Sequence, residues 1–435
     1  MPVEEQVMSQ TAKLDLGDRS IDLPIVVGTE NEHAIDISKL RGETGFITLD
    51  NGFGNTGACK SAVTYIDGEK GILRYRGYPI ETLAKHSTFL EVAWLLIFGE
   101  LPKPGQVDEL GDQIREHSLL HQDMRHHFEG FPATAHPMAV LSAMINASSC
   151  YHPELLEIRK IEETSLSMVA MLMAKVSTIA AFSHKKSTGE PQRYPDPSLD
   201  YCNNFLHCMF SKPYGRYTGK PEVVRALDLF LMLHADHEQN CSTSTARVVG
   251  SSEANLFASM SAAVCALWGP LHGGANQRCI EMLENIHAEG VDVKKVVERV
   301  KNREFKLMGF GHRVYKSSDP RATILKHACD DLLKTLGVDD PLLPIAQELE
   351  EVARNDDFFL SRNLYPNVDF YSGIILRTIG IPVEMFTVMF AIGRMPGWIA
   401  HWKEQHENPN GRIARPRQVY TGAGKRDYVS LEDRP

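Results

Sequence analysis

From about residue 80 onward, apolar residues recur with a helical period. Phe89, Val92, Ala93, Leu96 and Ile97 fall at i, i+3, i+4, i+7 and i+8 and so line one face of a helix. Similar stripes recur at about 107–128, 136–150, 160–183, 222–236, 253–267, 276–288, 320–336, 342–355 and 382–393, punctuated by Gly, Pro and Asn. The stripes are not interleaved with strand-like runs. A wound α/β sheet is therefore excluded, and a mainly α, multi-helix body is predicted. Ahead of it, Leu14–Val26, Ala34–Leu49 and Gly71–Gly77 carry short alternating or β-branched runs broken by Gly and Asp. They predict small strands with turns, a β-containing N-terminal region.

A chain of 435 residues holds about three ordinary domains or two large ones. Acidic residues outnumber basic ones, 56 to 46, for a net charge of −10. A principal partner such as nucleic acid or an anionic membrane needs a basic surface, so neither is expected. The longest apolar candidate for a membrane span, Phe257–Trp268, falls short of the ~20 residues a bilayer requires. The opening Met1-Pro-Val-Glu-Glu5 lacks a basic n-region, an apolar h-region and an Arg-rich stretch, so no secretory signal or transit peptide is expected. The eight cysteines form no C-x-x-C pair, which argues against a zinc ribbon or a disulfide framework. The reading is a cytoplasmic protein with reduced thiols.

Gly52-Phe-Gly54-Asn-Thr-Gly57 matches the dinucleotide pattern G-x-G-x-x-G, but a strand-like run at Tyr65 follows where a helix is required. The glycines read as a turn. His234-Ala-Asp-His237-Glu238 sets two imidazoles at i, i+3 beside a carboxylate. A metal pair and a capping or core histidine both remain open, although no third ligand is evident. His117, His121, His126 and His127 read as a solvated helix face.

Gly269-Pro-Leu-His272-Gly-Gly-Ala-Asn276 ends one helix and opens the next, which places His272 at a helix N-terminus. The helix dipole disfavours a positive charge there, so His272 should be a neutral N–H donor at pH 7. In Gly309-Phe-Gly311-His312-Arg-Val-Tyr-Lys316-Ser-Ser-Asp319-Pro320-Arg321, Asp319 and Pro320 mark an N-cap and N1. Arg321 then falls in the first turn, where the dipole disfavours a cation. A bound anion beside it would compensate. Lys316 and Arg313 add positive charge to the same loop.

Asp369, in Tyr365-Pro-Asn-Val-Asp369-Phe-Tyr-Ser-Gly373, lies among apolar and aromatic residues. Burial would make it a usable base, while an N-cap for a helix at 371–379 is the competing reading. Arg394 lies just past an apolar helix and before Pro396-Gly397. Arg412, Arg415 and Arg417 crowd around Pro416.

Together these segments resemble the citrate synthase family. Gly309–Arg321 fits the family signature G-[FYAV]-[GA]-H-x-[IV]-…-[RK]-x-x-D-P-R at every position, and the likeness extends over nearly the whole chain. It is nearest to the hexameric Gram-negative bacterial type. The resemblance implies a two-domain helical fold: an N-terminal β-containing region (1–77), a large helical domain (78–273 and 380–435) and a small helical domain (274–379). It implies condensation of acetyl-CoA with oxaloacetate, then hydrolysis of citryl-CoA to citrate and CoA.

By the same resemblance, Asp369 is the base, His272 the donor to the thioester oxygen and His312 the residue that polarises the ketone. His237, Arg321 and Arg394 bind oxaloacetate, and Arg415 does so from a neighbouring subunit. Lys316 and the backbone of Leu307, Met308, Gly309, Phe310 and Gly311 contact coenzyme A. No metal or other cofactor is implied. The assembly implied is a homo-oligomer with a dimer unit, up to a hexamer. NADH-inhibited members carry an Arg-His-Thr run and a nearby cysteine. Here Glu116-His117-Ser118 and Tyr214 stand at those places, so weak or absent NADH inhibition is expected. A 2-methylcitrate synthase using propionyl-CoA is the alternative within the class. A non-catalytic binder on the same fold and a hydrolase with a metal at His234, His237 and Glu238 are the alternatives outside it.

Overall fold

A computed structural model describes residues 10–156 and 164–435. The reading of Met1–Glu5 and the start of the 160–183 stripe lie outside them. By their contacts, residues 1–60 with 414–435 form one unit and residues 61–413 a second.

In the first unit, β1 (Thr11–Asp15), β2 (Ser20–Val27) and β3 (His33–Ile35) make an antiparallel sheet in that order, with Leu14 opposite Ile21. A short helix, α1 (Leu40–Thr44), follows, where strand had been expected through Leu49. Gly45, at φ +81, ends it in the left-handed conformation that glycine adopts freely. Ile21, Leu23 and Leu40 form the apolar cluster here. Gly52–Gly57 is a turn, as read. Asp50 accepts hydrogen bonds from the backbone of Gly54 and Asn55 and from the Thr56 hydroxyl.

The second unit opens with a small antiparallel sheet of β4 (Thr64–Asp67), β5 (Ile72–Tyr75) and β6 (Tyr78–Pro79). Helices follow in series: α2 (Ile80–His86), α3 (Phe89–Phe98), α4 (Gln106–His117), α5 (Met124–Gly130), α6 (Pro137–Ser148), α7 (Leu166–Ser187), α8 (Tyr201–Phe210) and α9 (Pro221–Leu233). Next come α10 (Cys241–Gly250), α11 (Leu256–Trp268), α12 (Ala275–Glu289), α13 (Val293–Lys301) and α14 (Pro320–Leu336). The series closes with α15 (Leu342–Asn355), α16 (Asp357–Leu360), α17 (Val368–Ile379) and α18 (Phe386–His406). The mainly helical prediction holds, and caps define the boundaries. Thr88 and Glu91 form a reciprocal capping box at α3, and Asp319 with Pro320 starts α14 as the sequence indicated.

Four details differ from the periodicity. The 107–128 stripe is two helices. Helices α8, α10, α13 and α16 lie outside the predicted stripes. Helix α7 is 22 residues long and apolar enough to span a bilayer, longer than the run singled out in the sequence. Its serines, threonines and lysines obscured it, and it is the buried core helix of this unit. Helix α18 does not stop before Arg394 but runs through Pro396 to His406. Proline normally breaks a helix by removing an N–H and crowding the carbonyl four residues back. Here the Gly397 N–H, one residue on, finds its acceptor outside the helix, in Ala235 O at 3.1 Å. Helix α18 packs against α3, α7, α9, α10 and α11, while α12 and α15 each pack on α17, as does α14.

Candidate active site

Five of the residues picked out in the sequence come from three loops and two helices of the 61–413 unit. His237 follows α9, and His272 lies in the turn between α11 and α12. His312 precedes α14, Asp369 is in the first turn of α17, and Arg394 is midway along α18. The His237 and His312 rings meet edge-on at 5.0 Å between centroids, and Tyr315 lies 5.6 and 4.8 Å from them. Phe390 lies between His272, 6.4 Å away, and the Arg394 guanidinium, 4.9 Å from its ring centre. Several buried polar atoms in this region carry no hydrogen bond: His237 Nε2, Tyr315 OH, Asp369 Oδ1 and Arg394 Nη1. Buried polar groups are normally satisfied, so a concentration of orphans marks a place built to receive a polar partner.

Backbone donors set the two imidazole tautomers. His272 Nε2 accepts from the Ser242 N–H at 3.2 Å and lies 2.8 Å from the Ser242 hydroxyl, which in turn accepts from the Trp398 indole. The ring proton is thus on Nδ1. His312 Nδ1 accepts from the N–H groups of Val314 and Tyr315, so its proton is on Nε2. Burial pushes both pKa values down to about 4, helped by Arg394 at His272 and by Arg321 at His312. Both are neutral N–H donors at pH 7, as predicted for His272, although desolvation is the larger cause. Burial, Arg321 and His312 hold His237 well below the usual range as well.

Asp369 does not cap its helix. Asn367 does, accepting from the Asp369 N–H at 3.0 Å, which leaves the Asp369 carboxylate uncommitted. Burial raises its pKa to about 6 against the pull of Arg321. Asn367 also ties this turn to the glycine loop. Its side chain donates to Gly311 O at 2.9 Å and its N–H to Gly309 O, while the Gly311 N–H donates to Tyr365 O. Gly309 and Gly311 have φ near +77° and +76°. A Cβ on Gly309 would come within 2.8 Å of Cys279 Sγ and 2.9 Å of Phe370, so this position needs glycine on both counts. Of the other loop residues named, Leu307 is buried and Met308 and Phe310 are partly so. Lys316 is exposed, and its backbone N–H is bonded to Gly68 O.

The compensation for Arg321 is a side chain rather than a bound anion alone. Asp319 Oδ1 accepts from Arg321 Nε at 3.0 Å and Oδ2 from Nη2 at 2.8 Å, and both residues are buried. The same carboxylate caps α14 and accepts from the Val368 N–H. It therefore joins the Arg321 helix to the helix of Asp369. The sequence reading treated the cap as the whole task of Asp319 and missed the pair. Asn367 could have been found from its place just before the Val-Asp start of α17. Ser242 and Trp398 carry no such local signal.

His234 is part of the core. Its Nδ1 donates to Phe230 O, its ring stacks on Phe230 at 4.2 Å, and burial lowers its pKa to about 3. Among the described residues no three His, Cys, Asp or Glu side chains group as metal ligands. Arg415 belongs to the unit of residues 1–60 and 414–435 and is exposed there.

Neutral histidine donors, a carboxylate with a raised pKa and buried arginines on a helical fold make a site suited to chemistry at a carbonyl of an anionic substrate. The comparisons narrow this. The model for the C-terminal domain of citrate synthase matches residues 52–417, and the chain belongs to the citrate synthase family. It is 55% identical to citrate synthase 1 of Mycobacterium tuberculosis over 98% of this chain and 99% of that one. It is 50% identical to the citrate synthase of Corynebacterium glutamicum over 95% of each. The citrate synthase of Pyrobaculum aerophilum superposes with a TM-score of 0.80 at 35% identity, covering 99% of this chain and all of the other. That of Thermoplasma acidophilum, solved as a ternary complex with carboxymethyl coenzyme A and oxaloacetate, gives 0.78 at 30% identity over 87% of this chain and 98% of that one.

Proposed function

We propose that the protein condenses acetyl-CoA with oxaloacetate and hydrolyses the citryl-CoA formed to citrate and CoA. The observation that carries this reading is the pairing of an uncommitted, buried Asp369 carboxylate with two neutral N–H donors. Asp369 takes a proton from the acetyl methyl group. His272 Nδ1–H stabilises the enolate oxygen. The enol carbon then attacks the ketone carbon, whose oxygen is polarised by His312 Nε2–H, and water cleaves the thioester. A base and an electrophile on opposite sides of one carbonyl are what a weakly acidic C–H requires. His237, Arg321 and Arg394 bind oxaloacetate, the two arginines as carboxylate partners. Leu307–Gly311 and Lys316 contact coenzyme A. The chain's own residues supply each of these roles, and the reading calls on no metal or further cofactor.

In this reading residues 274–379 form a small domain that closes on the large one (78–273 and 380–435), with 1–77 as the β-containing region. Closure assembles the site and excludes water. The minimal assembly is a dimer, with Arg415 serving the neighbour's site. The unit that carries it exposes Val27, Ile35, Phe46, Leu49, Phe53, Val419, Tyr420, Tyr428 and Leu431, an extent of apolar surface suited to a second copy. The resemblance extends this to a hexamer. Light scattering on the purified protein should show at least a dimer, and a fully active monomer would overturn it.

Thiol release in the presence of oxaloacetate tests the function. Acetyl-CoA should be preferred over propionyl-CoA, although one methylene separates them by only about 1–3 kcal/mol. Preference for propionyl-CoA would make the enzyme a 2-methylcitrate synthase with the same mechanism. Release with neither would leave a non-catalytic binder. Glu116 and the exposed Tyr214 offer a phosphate no cation, so micromolar NADH should leave the rate unchanged, and half-inhibition in that range would refute this.

A further inference from the structure

His237 is presented by a short turn, and the hold on that turn comes from one face of α18. Arg394, Gly397 and His401 lie at i, i+3 and i+7 and so share a face. Each grips the next residue of the turn in order. Arg394 Nε donates to His234 O at 2.6 Å, the Gly397 N–H donates to Ala235 O, and His401 Nε2 donates to Asp236 Oδ2 at 3.3 Å. The approach is close enough that a Cβ on Gly397 would come within 2.3 Å of Ala235 O and 2.4 Å of Asp236 Oδ1. One on Gly393 would meet Leu231 O at 2.9 Å. The Pro396-Gly397 break in helix sequence thus coincides with the place where the turn docks.

Asp236 closes the turn around His237. Its Oδ2 also accepts from the Glu238 N–H at 3.0 Å, and Glu238 is held at φ +56, a conformation costly for a residue with a side chain. Gln239 donates to His401 Nδ1 at 3.2 Å, so the residues on both sides of His237 are tied to the same imidazole. Tyr75, on β5, adds a further tie: its OH donates to Asp236 O at 2.9 Å. Asp236 and His401 are both fully buried. Neither belongs to the catalytic set above.

We propose that Asp236 and His401 are positioning residues for oxaloacetate: His401 anchors the Asp236 carboxylate, and that carboxylate fixes the strained turn that aims His237 at the substrate. This rests on the proposed function. Displacing a binding group by about 1 Å from a distance can cost as much as about 10²-fold. The loss should appear on the oxaloacetate side of the reaction. His272, on the acetyl side, is held through Ser242 and Trp398 instead.

The test uses the full-length protein and the variants His401→Leu, His401→Gln and Gln239→Leu. Oxaloacetate binding is read by calorimetry without turnover, and KM for each substrate is read by thiol release. His401→Leu should weaken oxaloacetate binding by about 10–100-fold and leave the acetyl-CoA KM at saturating oxaloacetate unchanged. His401→Gln keeps a donor for Asp236 and should restore most of the affinity. Gln239→Leu, at a half-buried position, should give a smaller shift in the same direction and decides the matter if His401→Leu does not fold. Oxaloacetate affinity equal to wild type in a folded His401→Leu or, failing that, Gln239→Leu variant overturns the proposal. So does an equal rise in both KM values, which marks a merely structural role. If wild type itself binds no oxaloacetate, the functional reading falls and this inference falls with it.

Discussion

Replacing Asp369 with Asn is expected to lower kcat by about 10²–10⁴-fold, the usual worth of a positioned general base. Oxaloacetate affinity should stay near wild type, because the amide is isosteric and Asn367 still caps the helix through the residue 369 N–H. The pH profile gives a second signature. Burial raises the Asp369 pKa to about 6, with Arg321 and Arg394 pulling it back. The base works only when deprotonated, so kcat/KM should fall as pH drops through about 6. His272 and His312, with pKa values near 4, remain neutral across that window and cannot supply the limb. Rates measured between mildly acidic and neutral pH should therefore show one ionisation. An Asn variant with wild-type kcat would remove Asp369 from the chemistry, and a profile flat through this range would remove the raised carboxylate.

The residues proposed to carry the chemistry are legible because each breaks a local rule. A histidine amid glycines at a helix start, an arginine in a first turn and an aspartate among aromatics stand out without any structure. The groups that orient them were not legible, since their partners are remote in sequence. Ser242 reaches His272 across 30 positions, and His401 reaches Asp236 across 165. Helix α18 illustrates the same limit. Pro396-Gly397 is a stop signal by every local criterion, yet the helix continues to His406, with the Gly397 N–H held by the carbonyl of Ala235 from a different segment. Helix α7 falls on the predicted 160–183 stripe, but its length as an apolar run was understated for the opposite reason. Its polar residues point to partners within the core, such as the Thr178 hydroxyl donating to Ser118 O, so its composition understates how apolar its surroundings are. Arg321 shows how a correct observation led to an incomplete cause. The cation in the first turn did need compensation, and a carboxylate two residues away supplies it while also capping the helix.

That dual use makes Asp319 a vulnerable position for stability. Removing its side chain by Asp319→Ala leaves the Arg321 guanidinium buried without its ion partner. Breaking a buried pair from one side typically costs about 3–5 kcal/mol. The variant also loses a helix cap, worth about 1 kcal/mol, and the bond to the Val368 N–H at the start of the Asp369 helix. Urea denaturation should show a loss in that range, and the double variant Asp319→Ala/Arg321→Met should recover part of it by removing the stranded charge. The pH dependence has a definite sign. Burial acts to raise the Asp319 pKa, but the charge and hydrogen bonds of Arg321 outweigh it and hold the carboxyl below the ordinary aspartate value. A depressed pKa contributes stability that is complete above the unfolded value and is lost as pH falls through the folded one. Wild type should therefore lose this increment on acidification below the ordinary aspartate range, and Asp319→Ala, lacking it at every pH, should lose less over the same interval. A single variant as stable as wild type at pH 7 would mean that Arg321 finds another partner, and the pair would then be no part of what joins the two helices.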